Sequence, residues 1–292
     1  MPSKPYPSSP ENIDAWCDKY HFPRQEGQKR FVSFLILQSF DASPILSKSL
    51  VFKGGNALRF VYQNSRSTID LDFTVVNNCL KRSVEELRKS IDNSLLLANR
   101  RYNVRARTQK IEARPKSANA THPTYLVKVG YQFFNEKYFN QILQGKDVSS
   151  IIPLDISFAD LICESQILDL QDNGKGHLRV GTLEDILAEK LRSLLQQPIR
   201  NRNRKQDVFD LARLFQVARD QIDLLKVSDF LMRKCNERDI DARKQKFDQT
   251  VREMASIDYE RLKESVPENE FIPFDQAWKT VRKMVELLTI PD

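Results

Sequence analysis

Asp70-Leu71-Asp72 sets two carboxylates one residue apart in a β-rich run, Ile69 to Val76. On a strand, residues i and i+2 share a face, so both acids converge on one point while Leu71 and Phe73 turn toward a core. Hard oxygen ligands this close suit Mg²⁺. Upstream, the apolar run Leu50 to Phe52 ends at Lys53-Gly54-Gly55, and residues 56–62 read as a helical turn or two. Glycines at such a junction let backbone N–H groups approach a phosphate, and a helix N-terminus favours that anion. Two ions at such a place can clamp the attacking and leaving oxygens of a phosphoryl or nucleotidyl transfer. Alone, a Gly-Gly pair is more often just a turn, and a D-x-D on a strand is often a solvated face. The ordered combination of strand, Gly-Gly, helix and D-x-D strand is far more specific.

Three further residues have types that their positions do not explain. Asp155 stands in the apolar run Ile151-Ile152-Pro153-Leu154-Asp155-Ile156, where a charge needs a partner or a metal. A strand there, beside that of Asp70 and Asp72, completes a metal triad; the bland alternative is a strand-end acid facing water. Lys190 falls on the apolar stripe of Leu183 to Leu195, and Asp207 on that of the following helical segment. A lysine and an aspartate on buried-facing positions of neighbouring helices pair or line a cleft. Singly, Lys190 reads as snorkelling at a rim and Asp207 as a first-turn residue favoured by the helix dipole.

The elements that must position these groups follow from periodicity. Residues 1–24 read as a loose arm. Glu26 to Ser49 is helical, broken near Ser43 and Pro44. Val84 to Ala98 is an amphipathic helix; Arg101 to Ile111, Tyr125 to Phe134 and Ile151 to Phe158 are strands. Beyond that the pattern is helical: Thr182 to Gln196 with Thr182 and Asp185 in capping-box positions, then Gln206 to Ala218, Ile222 to Cys235, Lys244 to Ala255 and Phe274 to Leu288. The expectation is an α+β chain: a mixed sheet flanked by helices over residues 1–175, then a helical C-terminal domain over 176–292 that completes the active-site cleft.

Composition narrows the classes. The 292 residues are 40% hydrophobic and 29% charged, which is globular. Three scattered histidines and four cysteines without a C-x-x-C argue against zinc ribbons and redox motifs and fit a reducing compartment. The polar first ten residues hold no apolar signal segment, and the most apolar run, Phe31 to Phe40, is too short to span a bilayer. A cytoplasmic, membrane-free monomer is expected, with no heptad seam. Net charge is +7, and Leu80 to Gly130 holds twelve Lys or Arg against four Asp or Glu, a local +8. Under strand periodicity Arg101, Arg105 and Arg107 share one face, a surface suited to RNA phosphates or, equally, the solvated face of an edge strand.

These motifs resemble the AbiEii/AbiGii-type nucleotidyltransferase toxins, which include the MenT toxins, within the DNA-polymerase-β-like nucleotidyltransferase superfamily. The likeness rests on F-K-G-G-N-A-L-R (Phe52 to Arg59), R-S-T-I-D-L-D-F (Arg66 to Phe73), L-E-D-I-L-A-E-K-L (Leu183 to Leu191) and R-K-Q-D-V-F-D-L (Arg204 to Leu211), in the family's order over more than half the chain. The resemblance implies a nucleotidyltransferase-like sheet and a toxin of a toxin–antitoxin or abortive-infection system. Its implied activity moves a nucleotide monophosphate from an NTP to an RNA, the tRNA 3′ end, blocking translation; a protein or small-molecule acceptor, or a non-catalytic binding module, are the alternatives. It implies Asp70, Asp72 and Asp155 as ligands of a two-ion Mg²⁺ site, and Lys53, Gly54, Gly55, Arg66, Thr68 and Lys190 as nucleotide-binding. Asp70, Asp72, Lys190 and Asp207 are the implied catalytic set, and a cognate antitoxin encoded nearby is the implied partner. Two departures stand out: Asn56 replaces the family's Thr or Ser, and Gln206 replaces an arginine before Asp207.

Overall fold

The β-rich runs of the sequence join into a seven-stranded mixed sheet, and the helices that follow bury their apolar stripes largely on one another. The computed structural model describes residues 6–62, 64, 66–68, 70–77, 80, 83–114, 124–170 and 176–292. The front of the chain forms α1 (Ile13–Tyr20), α2 (Arg24–Asp41), α3 (Pro44–Ser49), α4 (Gly54–Tyr62) and α5 (Val84–Arg101). The strands are β1 (Leu50–Lys53), β2 (Leu71–Val75), β3 (Val104–Arg114), β4 (Thr124–Phe133), β5 (Ile151–Ser157), β6 (Ser165–Ile167) and β7 (Arg179–Gly181). Behind them come α6 (Leu183–Leu195), α7 (Gln197–Arg200), α8 (Lys205–Val217), α9 (Leu224–Asn236), α10 (Gln249–Ser256) and α11 (Phe274–Leu287). The α+β expectation holds, with the helical C-terminal region in place.

The chain divides into two compact units: residues 1–61, 69–160 and 166–180 in one, and 62–68, 161–165 and 181–292 in the other. The expected boundary at 175 falls outside the described residues. Two short front segments, 62–68 and 161–165, belong to the second unit, which periodicity did not foresee.

The strand order is β3-β4-β5-β2-β1-β7-β6. Strand β2 lies between β5, to which it is parallel, and β1, to which it is antiparallel. One face of β2 is dry: the Phe73 ring lies 5.3 Å from Phe52 and 5.3 Å from Phe40 of α2. Burying a side chain like Phe73 contributes about 1.5–3 kcal/mol. Helix α2 is largely apolar over Phe31 to Phe40 and is buried there except at Gln38. The break near Pro44 is an N-cap: Ser43 Oγ accepts from Leu46 N, and Pro44 opens α3.

The expected loose arm is corrected. Residues 13–20 form α1, with Ile13 and Cys17 buried. The Tyr6 ring stacks on Phe34 at 4.2 Å, and its hydroxyl donates to the Leu170 carbonyl at 2.8 Å. The second unit encloses its own core of Leu187, Leu191, Leu194, Phe209, Leu211 and Val281, all fully buried. Thr182 caps α6, accepting from Asp185 N. The Asp185 carboxylate accepts from Cys163 N at 2.7 Å and pairs with Lys234 at 3.0 Å. Among the described residues no helix is long and apolar enough to cross a membrane.

Candidate active site on the central strands

Alternation along β2 decides where the acids go. Leu71 and Phe73 fill the core, so Asp72 emerges on the opposite face. The parallel register sets Asp72 directly beside Asp155 of β5. Asp70 stands one residue before β2, where the Asn56 amide of α4 holds its carbonyl at 2.5 Å. The three carboxylates are half-buried, with one ligand oxygen from each lying within 4.8 Å of the others. Three anionic oxygens converging so tightly repel one another in the absence of a cation. The donor set is all hard oxygen, which fits Mg²⁺.

The adjoining turn is shaped to this face. Gly54 begins α4 with φ +74°, a conformation L side chains rarely adopt. A Cβ there would stand 2.1 Å from Asp72 Oδ2. The glycine therefore leaves the space in which the Asp72 carboxylate sits and brings the start of α4 against it. Gly55 is buried in the first turn. Lys53 ends β1 directly opposite Asp72, and its ammonium ion-pairs with Asp160. The side chain at position 56, an amide where the family carries a hydroxyl, thus ties α4 to the backbone of Asp70.

The second unit gathers a separate charged cluster. Lys190 Nζ donates to Asp207 Oδ1 and to Asp210 Oδ2, each at 2.7 Å, and the side chain is buried. It is not snorkelling. Burial alone would lower its pKa; the carboxylates of Asp207 and Asp210 outweigh that and raise it. Arg66 grips Asp210 with Nε at 2.9 Å and Nη2 at 2.8 Å, and Asn64 adds a bond at 2.8 Å. Burial would raise the Asp210 pKa, but Arg66 and Lys190 hold it well below the usual carboxylate range. The structure thus places the Arg66 guanidinium on Asp210, with Thr68 half-buried in the same short segment. The arginine missing at position 206 has a stand-in, for Arg204 Nε lies 4.0 Å from Asp207. Sequence reasoning gave Asp210 no role, although it lies in the R-K-Q-D-V-F-D-L motif, one turn after Asp207.

The arginine stripe is only partly as expected. Arg101 ends α5 and is not on a strand, since β3 begins at Val104. Arg105 donates to the Phe139 carbonyl and to Asn140 at 3.0 Å, with its guanidinium 4.2 Å above the Phe139 ring. Arg107 bonds the carbonyls of Ile142 and Gly145 and the Asp147 carboxylate, each at 2.6 Å. These two side chains hold residues 139–147 against β3.

Fold and face together define a nucleotidyltransferase-like protein. The chain belongs to the nucleotidyl transferase AbiEii toxin family of type IV toxin–antitoxin systems, whose model matches residues 36–283. Its fold is similar to that of JHP933 from Helicobacter pylori, at 17% identity over 86% of this chain and 88% of that one, with a TM-score of 0.50. A second H. pylori structure, described as a candidate nucleotidyltransferase, is 18% identical over 86% of this chain and 91% of its own, with a TM-score of 0.48. No curated protein matches this sequence.

Proposed function

We propose that this toxin transfers a nucleotide monophosphate from an NTP to an RNA acceptor, the tRNA 3′ end, releasing pyrophosphate. The observation that carries the reading is the convergence of Asp70, Asp72 and Asp155 beside the Gly54 turn. Asp70, Asp72 and Asp155 would hold Mg²⁺, as one ion or two, and the ion would supply Lewis-acid chemistry at the α-phosphate and the attacking hydroxyl. The backbone N–H groups at Gly54 and Gly55 open α4 toward an anion, the place for the triphosphate. Lys53 adds a cation on the same face. For Lys190 and Asp207 the catalytic part implied by the family likeness stands as a proposal beside their structural one, as does the Thr68 contact to phosphate. A cognate antitoxin is implied by the type IV system to which the family belongs.

An RNA acceptor is supported by the chain's resemblance to a family with tRNA-modifying members and by the local +8 of residues 80–130. The commitment of Arg105 and Arg107 to the 139–147 segment withdraws them from that argument, and it favours keeping a protein acceptor as the second reading. Retention of an α-phosphate label by tRNA, with release of pyrophosphate, tests the first reading; label on protein supports the second.

A further inference from the structure

Helices α6 and α8 carry Lys190 and Asp207, and the segment that joins them is strongly basic. Residues 197–206 read Q-P-I-R-N-R-N-R-K-Q, four cations with no Asp or Glu. Arg200, Asn201 and Arg202 are exposed, and Asn203, Arg204 and Lys205 are half-buried. The strip ends at Asp207, with Arg204 Nε 4.0 Å from its carboxylate. Residues 249–258, to which this loop is tied, hold Arg252 against Glu253 and Asp258, so the two segments together keep a net +3.

The loop is held in one shape. Gln197 is fully buried and uses both ends of its amide: Oε1 accepts from Arg204 N at 2.8 Å, and Nε2 donates to the carbonyls of Leu194 and Val251, each at 3.3 Å. Asn203 Nδ2 donates to the Ile257 carbonyl at 2.6 Å, and Lys205 Nζ to the Asp258 carbonyl at 3.0 Å. These ties end on backbone groups, so they fix the loop without cancelling its charge.

We propose that the loop over residues 200–205 is a contact surface for the phosphate backbone of the RNA acceptor, with Arg200 and Arg202 as phosphate-binding side chains. The inference rests on the RNA-acceptor reading, for which Arg105 and Arg107 are already spent on the fold. A guanidinium fork matches a phosphate, and exposed arginines exchange surface partners for one at little cost. A preset loop loses little freedom on binding. A run of four cations suits a repeating anion better than a single phosphate.

The test is binding of fluorescently labelled total tRNA to the full chain, by anisotropy, over a range of KCl concentrations. Arg200→Gln with Arg202→Gln removes two charges and leaves the Gln197 clamp alone. The slope of log affinity against log salt should fall by about 1.4–1.8, and affinity at ~0.1 M salt by on the order of tenfold. Arg202→Gln alone should take about half of that slope change, an arm that holds if the pair misfolds. Arg200→Lys with Arg202→Lys should keep the wild-type slope. So should Lys226→Gln with Arg233→Gln, which removes two exposed cations of α9. The Tm rise given by Mg²⁺ with NTP should be unchanged in the Gln pair, since the loop meets the acceptor and not the nucleotide. Wild-type tRNA affinity and slope in the Gln pair, an equal loss in the α9 pair, or loss of the NTP effect would each overturn the inference. Loss of poly-glutamate binding in the Gln pair with tRNA binding intact would give the loop to an acidic protein instead. The two levels separate in the wild type: no salt-dependent tRNA binding there removes the RNA-acceptor reading itself, whereas binding that the Gln pair retains removes the loop alone.

Discussion

Asp72 and Asp155 lie side by side on adjacent parallel strands, although 83 positions separate them in the sequence. The parallel pairing of β2 with β5 creates that closeness, and the dry face of β2 enforces it. A register slip of one residue would turn Asp72 into the core and Phe73 out of it.

Removing one carboxylate should end transfer while stabilising the metal-free protein. Asp155→Asn relieves repulsion among acids whose oxygens lie within 4.8 Å of one another, a gain of about 1 kcal/mol after screening. Thermal unfolding in EDTA should show a higher Tm than wild type, and the rise in Tm given by Mg²⁺ with NTP should disappear. A lower Tm in EDTA would mean that the other contacts of Asp155 outweigh that repulsion.

Gly54→Ala should be one of the most damaging small substitutions. Its methyl group meets Asp72 Oδ2 at 2.1 Å, and the φ of +74° is strained for alanine. The expected cost is about 1–3 kcal/mol of stability by urea unfolding, with transfer reduced far more than folding. Unchanged transfer would mean the Asp72 carboxylate does not need its present place.

Asp210 should matter to stability at least as much as to activity. Asp210→Ala leaves Arg66 and Lys190 buried beside an empty position, a loss of about 3–5 kcal/mol by urea unfolding. Its pH dependence has a definite sign. The folded pKa is depressed, so its stabilising contribution is complete above the unfolded value of about 4 and is lost as pH falls through the folded value. The stability gap between wild type and Asp210→Asn should be flat from pH 5 to pH 7, in the window of roughly constant ionisation, and should shrink below about pH 4. A gap that grows on acidification contradicts the ion-pair account.

The arginines of β3 should behave as supports of the fold. Arg107→Ala removes three bonds at 2.6 Å to residues 142, 145 and 147 and should cost about 1–3 kcal/mol. Arg101→Ala, on an exposed helix end, should change stability by less than about 0.5 kcal/mol. If Arg107→Ala leaves the Tm unchanged but halves RNA labelling, the surface reading of that stripe returns.

What was legible in the sequence were relations set by local period. The two-residue repeat placed Asp72 opposite Phe73, and the apolar setting of Asp155 marked it as a charge in need of company. The stripe position of Lys190 announced its burial. Relations across long separations were not legible: Asp160 meets Lys53 from 107 positions away, and Arg66 meets Asp210 from 144. Nor could the pattern show that Arg105 and Arg107 would be claimed by carbonyls near residue 140. Arg101 misled for a local reason. Helix α5 continues past the buried Ala98, and two arginines suit its C-terminal dipole as well as they suit a strand.

The central claim, a carboxylate-held metal centre that moves nucleotide to RNA, is tested most directly by a labelling assay. Purified protein is mixed with Mg²⁺, total tRNA and each α-³²P-labelled NTP in turn, beside Asp72→Asn. The account predicts label on tRNA from at least one NTP and none with the variant. Equal label on tRNA from wild type and Asp72→Asn, or label on protein alone, would contradict it.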